Sequence, residues 1–154
     1  MLDTGQQYMV ITGKHHDGYC MFDGELTDYK ITNTPVRRDP TAELAEAFSR
    51  NGSKLGFCYS LLDWHPPDYR SDWSAYVTYY QGQVRELCTR YENISMRWLD
   101  GFWPDHEPPA DYFVEGGPRD LAGTYDLIHE LQTDALIGNN HHISPLKGED
   151  VQVD

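Results

Sequence analysis

DPTAELAEAFSRNGSKLGFCYSLLDWH, residues 39–65, carries the alternation on which the fold turns. Asp39 has the side chain of a helix N-cap, Pro40 suits the first helical position, and Gly52 suits the end. Between them Leu44, Ala45, Ala47 and Phe48 fall on one face, so the segment predicts a helix that buries one stripe. KLGFCYSLL, residues 54–62, follows almost at once and reads as a buried strand. It runs into DWHPPDYRSD, a loop rich in Pro and Asp. Helix, short link, buried strand and long polar loop form the unit from which a parallel sheet is built.

The same unit recurs on both sides. Upstream, QYMVIT (7–12) predicts a strand, and KHHDGYCMF (14–22) opens a long loop that reaches residue 38. Downstream, Trp73, Tyr76, Val77, Tyr80, Val84, Leu87, Cys88 and Tyr91 recur at intervals of three and four. That spacing predicts a helix from about Asp72 to Tyr91. ISMRWLDGFW (94–103) predicts a third strand, and a Pro- and Gly-rich loop separates it from a helix at about Arg119–Thr133. DALIGNN (134–140) predicts a fourth strand, leading into HHISPLKGEDVQVD. The expected fold class is therefore α/β, with four parallel strands and three main helices. Its strand-to-helix loops are long and its helix-to-strand loops short.

Composition narrows the function. A hydrophobic share of 39% and an aromatic share of 13% fit a folded domain. A net charge of −13 argues against a nucleic-acid or anionic-membrane surface, because phosphate binding needs Lys and Arg. No apolar run is long enough to span a bilayer. Cys20, Cys58 and Cys88 are widely spaced without a CxxC pair, and Cys58 and Cys88 read as small buried thiols.

The strand ends share one character. The first delivers His15, His16 and Asp17; the second carries Tyr59, then Asp63, Trp64 and His65. The third offers Trp98, Asp100 and Trp103, and the fourth gives Asn139, Asn140, His141 and His142. In parallel α/β folds ligands bind at the carboxyl ends of the strands, so these residues predict a site. Asp100 stands out, because a carboxylate among Trp98, Leu99, Phe102 and Trp103 is costly unless paired or functional. A metal site drawing on His15/His16, His65, Asp105/His106/Glu107 or His141/His142 is the second reading. Adjacent histidines diverge on extended backbone, and HExxH spacing is absent. No GxSxG elbow supports a serine hydrolase.

Four collinear blocks are more specific still. They are YMVITGKHHDGYCMFDGELTDYKITNT, RRDPTAELAEAFSRNGSKLGFCYSLLDWHPPDY, the helix from about Asp72 to Tyr91 with WLDG, and LQTDALIGNN with GEDVQ. Over nearly the whole chain they resemble the α-L-fucosidases of glycoside hydrolase family 29. The resemblance implies a partial (β/α)8, TIM-like barrel, with residues 1–154 the central part of a single catalytic domain truncated at both ends. It implies a retaining exo-α-L-fucosidase acting on a fucosylated oligosaccharide or glycoconjugate, with no cofactor, no metal, and no nucleic-acid or membrane partner.

By the same resemblance Asp100 is the nucleophile, and His15 and His16 bind fucose hydroxyls. Tyr59 and Trp98 line the sugar pocket, joined by His65 and His141. The acid/base glutamate falls just past Asp154 in this register; Glu149 or Asp154 would serve only if the register slips. The family is secreted, periplasmic or lysosomal. Departures are His141, where many members have arginine; Pro66, in place of a histidine; and Met96-Arg97. Arg97 is expected to face outward, where it needs a partner. A half-barrel with exposed edge strands is expected to be marginal and inactive alone; the alternative function is fucose binding without turnover.

Overall fold

The computed structural model describes residues 5–91, 94–101, 120–140 and 147–152. Five strands form one sheet: β1 (Tyr8–Lys14), β2 (Lys54–Ser60), β3 (Ile94–Asp100), β4 (Leu136–Asn140) and the short β5 (Val151–Gln152). Their order in the sheet is β1-β2-β3-β4-β5, and every neighbouring pair is parallel. Helices α1 (Pro40–Arg50), α2 (Asp68–Ser71), α3 (Trp73–Arg90) and α4 (Leu121–Leu131) connect them. A doubly wound sheet reverses its strand order at a switch point. Here spatial order follows chain order, which is the arrangement of a partial (β/α) barrel.

The four strands and three main helices expected from the sequence are present, with β5 and the single-turn α2 in addition. The third strand stops at Asp100 because Gly101, at φ +99°, turns the chain away; Trp103 lies outside the described residues. The long loop after β1 is more ordered than its polarity suggests. It buries Cys20 and Phe22 completely and forms bridges Lys14–Cys20 and Cys20–Lys30.

The two faces of the sheet differ. Leu55, Phe57 and Tyr59 of β2, Leu99 of β3 and Ile137 of β4 join one buried core with Phe48 of α1, Tyr76, Tyr80, Val84 and Leu87 of α3, and Tyr125 and Ile128 of α4. The alternate residues form the other face. Across it the register aligns Val10 with Gly56, Cys58 with Trp98 and Gly138, and Ser60 with Asp100 and Asn140. Tyr8, Val10 and Leu136 on this face are exposed. Glycines make room on it for large neighbours: a Cβ on Gly56 would meet Met96 Cβ at 2.9 Å, and one on Gly138 would meet Trp98 Cε3 at 3.4 Å.

Arg97 faces the helices, as expected, and the structure supplies its partner. The guanidinium is almost wholly buried, donates to the Leu87 carbonyl at 3.0 Å and to Cys88 Sγ at 3.3 Å, and lies over the Phe57 ring at 5.2 Å. A cation near the C-terminal turn of α3 meets the negative end of the helix dipole. Burial lowers its pKa, opposed by Cys88.

Asp39 ties the helical layer together. Its Oδ1 accepts from Ala42 N at 3.0 Å and caps α1, while Oδ2 accepts from the Tyr91 hydroxyl at 2.7 Å and Asp23 N at 3.1 Å. Asp39→Ala is expected to cost about 1–3 kcal/mol in urea unfolding, since it removes a cap and leaves the Tyr91 hydroxyl short of an acceptor, while Asp23 N keeps its contact with that hydroxyl at 3.2 Å. Asp39→Asn retains the cap and is expected to lose less.

Candidate active site

Asp100 closes β3 on the face opposite the helices and is 8% exposed. Its Oδ1 accepts from Asn140 Nδ2 at 3.0 Å, and His15 Nε2 stands 3.3 Å from Oδ2. Three strand ends therefore converge on one carboxylate. Gly101 lets the chain leave: a Cβ there would stand 3.0 Å from His16 Cε1 and 2.9 Å from Leu62 Cγ.

His15 and His16 do not diverge as the extended-backbone expectation had it. The strand ends at Lys14, and residues 15–18 form a turn in which Gly18 N donates to His15 O at 3.0 Å, with Gly18 at φ +79°. The imidazole centroids lie 4.0 Å apart. His16 is 8% exposed, with Nδ1 2.5 Å from Ser60 Oγ. The Ser60 hydroxyl donates to Leu62 O at 3.0 Å and accepts from Leu62 N at 3.0 Å. A hydroxyl has one proton, so Ser60 donates either to the Leu62 carbonyl or to His16 Nδ1, and the imidazole tautomer follows from which it is.

Burial lowers the His16 pKa, helped by His15 and Lys14 and opposed by Asp100. One nitrogen from each histidine and one oxygen of Asp100 lie within 4.8 Å of one another, a donor set that could also hold a cation. Cys58 shares this face, where burial and then the Asp100 charge push its thiol up to about 11.

A buried ion pair holds these parts in place. Lys14 Nζ donates to Asp63 Oδ2 at 3.0 Å and to Leu62 O at 3.1 Å, and it lies 4.6 Å over the Tyr59 ring. Both side chains are fully buried. Burial lowers the Lys14 pKa, and Asp63 opposes the shift. Asp63 Oδ1 accepts from His65 N at 3.0 Å, and Trp64 N donates to His16 O at 2.9 Å. The loop after β2 is thereby stitched to the loop after β1. Gly18 is the contact point, since a Cβ there would stand 2.2 Å from Asp63 Oδ1.

Of the residues named from sequence, the structure brings Asp100, His15 and His16 together. It places Trp98 on the same face, one side-chain repeat deeper in the sheet. It does not bring Tyr59 to them. That ring is fully buried on the helix side, and its hydroxyl donates to Gln83 Oε1 of α3 at 2.6 Å. His65 is exposed on the rim and stacks on Tyr29 at 4.3 Å. His141 lies outside the described residues.

Glu149 accepts from the Tyr125 hydroxyl at 2.6 Å, and Asn139 donates to that hydroxyl at 2.8 Å, which places the carboxylate on the helix side of β4. Ser60, which contacts His16, and Lys14, which holds Asp63, are not among the site residues that the sequence predicts. Alternation counted from Asp100 across the register would have selected Ser60 over Tyr59.

The model of the family described as Alpha-L-fucosidase matches residues 1–153. Alpha-L-fucosidase 1 of Arabidopsis thaliana is 36% identical over 138 residues, covering 88% of this chain and 26% of that protein. Among solved structures, α-L-fucosidase isoenzyme 1 from Paenibacillus thiaminolyticus is 38% identical with a TM-score of 0.73, over 86% of this chain and 34% of that one. A glycoside hydrolase family 29 α-L-fucosidase of Bacteroides thetaiotaomicron, trapped as a covalent intermediate with 2-fluoro-fucosyl fluoride, is 30% identical with a TM-score of 0.79, over 89% and 32%. The chain thus spans about a quarter of the length of the curated relatives it matches.

Two measurements test this geometry. The folded state holds His16 below its ordinary value of 6.5, so the unfolded chain takes up that proton first as pH falls. Stability is unaffected by this group above pH 6.5 and declines below it; His16→Asn should flatten that acid limb in melts between pH 7.5 and 5. Lys14→Met should cost about 3–5 kcal/mol by urea unfolding, because Asp63 is left charged and buried, and adding Asp63→Leu should recover part of the loss.

Proposed function

The chain belongs to the α-L-fucosidase family, and on that premise we propose that residues 1–154 are the central part of the catalytic domain of a retaining exo-α-L-fucosidase. The observation that carries the reading is the placement of Asp100. It is a nearly buried carboxylate at a strand end, with both oxygens oriented by side chains from neighbouring strands. The substrate is a terminal α-L-fucosyl unit of a glycan or glycoconjugate.

In this mechanism one Asp100 oxygen attacks the anomeric carbon as the glycosidic C–O bond breaks, forming an acylal ester between Asp100 and the sugar. The departing oxygen takes a proton from a second carboxyl. The same carboxyl then removes a proton from water, which attacks the anomeric carbon, frees Asp100 and restores the original configuration. Asn140 holds one nucleophile oxygen, and His15 sets the other. His15 and His16 present imidazole nitrogens to sugar hydroxyls. Trp98 offers an aromatic wall for the sugar's methyl group and apolar face.

Tyr59 acts from behind, as the floor under Lys14, and does not touch the sugar. The second carboxyl of a retaining pair stands about 5–5.5 Å from the first. Glu149, on the helix side, does not meet that need.

Incubating the complete protein with 2-fluoro-fucosyl fluoride should leave one covalent fucosyl adduct, on the peptide that contains Asp100. Asp100→Asn should abolish the adduct and lower kcat by on the order of 10³ or more. Chelators should leave activity unchanged, which a metal-dependent hydrolase would not tolerate. The 154-residue chain alone should show no turnover of an aryl α-L-fucoside. Fucose binding by the complete protein without adduct or turnover would instead assign a carbohydrate-binding role.

A further inference from the structure

The ring contacts of the site continue beyond Asp100 in one direction. From Asp100 Oδ2 the path runs 3.3 Å to His15 Nε2, then 4.0 Å between the His15 and His16 rings, then 5.6 Å to the ring of Trp64. Asp100 and His16 are nearly buried on this path, whereas His15 and Trp64 are exposed, Trp64 to 61%. The stacked Tyr29–His65 pair lies in the same rim, with Tyr19 edge-on to Tyr29 at 5.0 Å.

An exposed tryptophan alone signals little. This one is fixed at the site by two independent contacts. Its backbone N–H donates to the His16 carbonyl at 2.9 Å, and the preceding residue, Asp63, is anchored by the buried Lys14 ammonium. The backbone that carries the indole is thus tied to the turn that carries the imidazoles, and the indole lies 5.6 Å from the His16 ring. A flat apolar ring with polar groups at its margin is the surface on which the C–H face of a pyranose stacks.

We propose that Trp64 is the platform for the sugar to which fucose is attached, and so selects fucosylated saccharides over fucosides with a small leaving group. This rests on the fucosidase reading. The geometry that supports it is continuity. A fucosyl unit over Asp100, His15 and His16 directs its glycosidic oxygen toward the rim, and Trp64 is the exposed ring adjoining His16. Trp64 acts on the leaving sugar alone and takes no part in the bond-breaking at Asp100.

The test compares two substrates on the complete protein: an α-L-fucosyl disaccharide whose second unit is a pyranose, and α-L-fucosyl fluoride, whose leaving group is too small to reach the indole. Trp64→Ala should lower kcat/KM for the disaccharide roughly 10- to 100-fold while leaving the fluoride within about twofold. Trp64→Phe, which keeps an aromatic face, should restore most of the loss. Unchanged disaccharide kinetics in Trp64→Ala would overturn the proposal, as would an equal loss on both substrates. A wild-type protein that hydrolyses neither would reject the fucosidase reading and the platform with it. Fluoride hydrolysis that is normal and independent of residue 64, alongside an unaffected disaccharide, would reject the platform only.

Discussion

The Lys14–Asp63 ion pair is the interaction on which the site depends. Removing two charges from water costs several kcal/mol per ion, and close pairing offsets this only when the remaining donors and acceptors are also used. Here they are. The ammonium reaches Asp63, the Leu62 carbonyl and the face of Tyr59, and the second Asp63 oxygen accepts from His65 N. The pair joins the last residue of β1 to the loop after β2. His15 and His16 follow Lys14 directly, and Trp64 and His65 follow Asp63. A single buried contact therefore sets both loops that border Asp100.

The Tyr59 ring beneath that ammonium belongs to a second buried network. Its hydroxyl donates to Gln83, whose amide reaches Cys20 Sγ at 3.3 Å and the Tyr79 hydroxyl at 2.9 Å. Burial drives the Tyr59 pKa well above 10 and the Cys20 thiol up to about 12, so both groups are neutral packing and hydrogen-bonding elements at physiological pH. Through them the loop after β1 is braced against α3, the longest helix among the described residues. The chemistry of the exposed face is thus held by polar groups on the hidden one.

Much of this was legible in the chain. Caps, apolar periodicity and loop lengths predicted the strands and helices nearly to their ends, because helix faces and buried strands leave strong local patterns. WLDG marked Asp100 because a carboxylate beside Trp and Leu at a strand end is costly without a use. The motifs KHHDG, YSLLDWH and WLDG pointed to the family. Less legible was which side of each strand carries the candidate site. A parallel strand buried on both faces reads as one continuous apolar run, so nothing in KLGFCYS fixes the phase of its alternation. Tyr59, which the family resemblance implies for the sugar pocket, turns to the helices, and Ser60 takes the face that carries Asp100.

The sequence by itself determined the order of elements and the parallel α/β class, since these follow from local spacing. Only the tertiary structure decided the pairing of Lys14 with Asp63, the convergence of His15, His16 and Asn140 on Asp100, and the helix-side burial of Tyr59 and Arg97. Those depend on strand register and on a turn at Gly18, which together unite residues forty or more positions apart, and no local pattern encodes such a meeting.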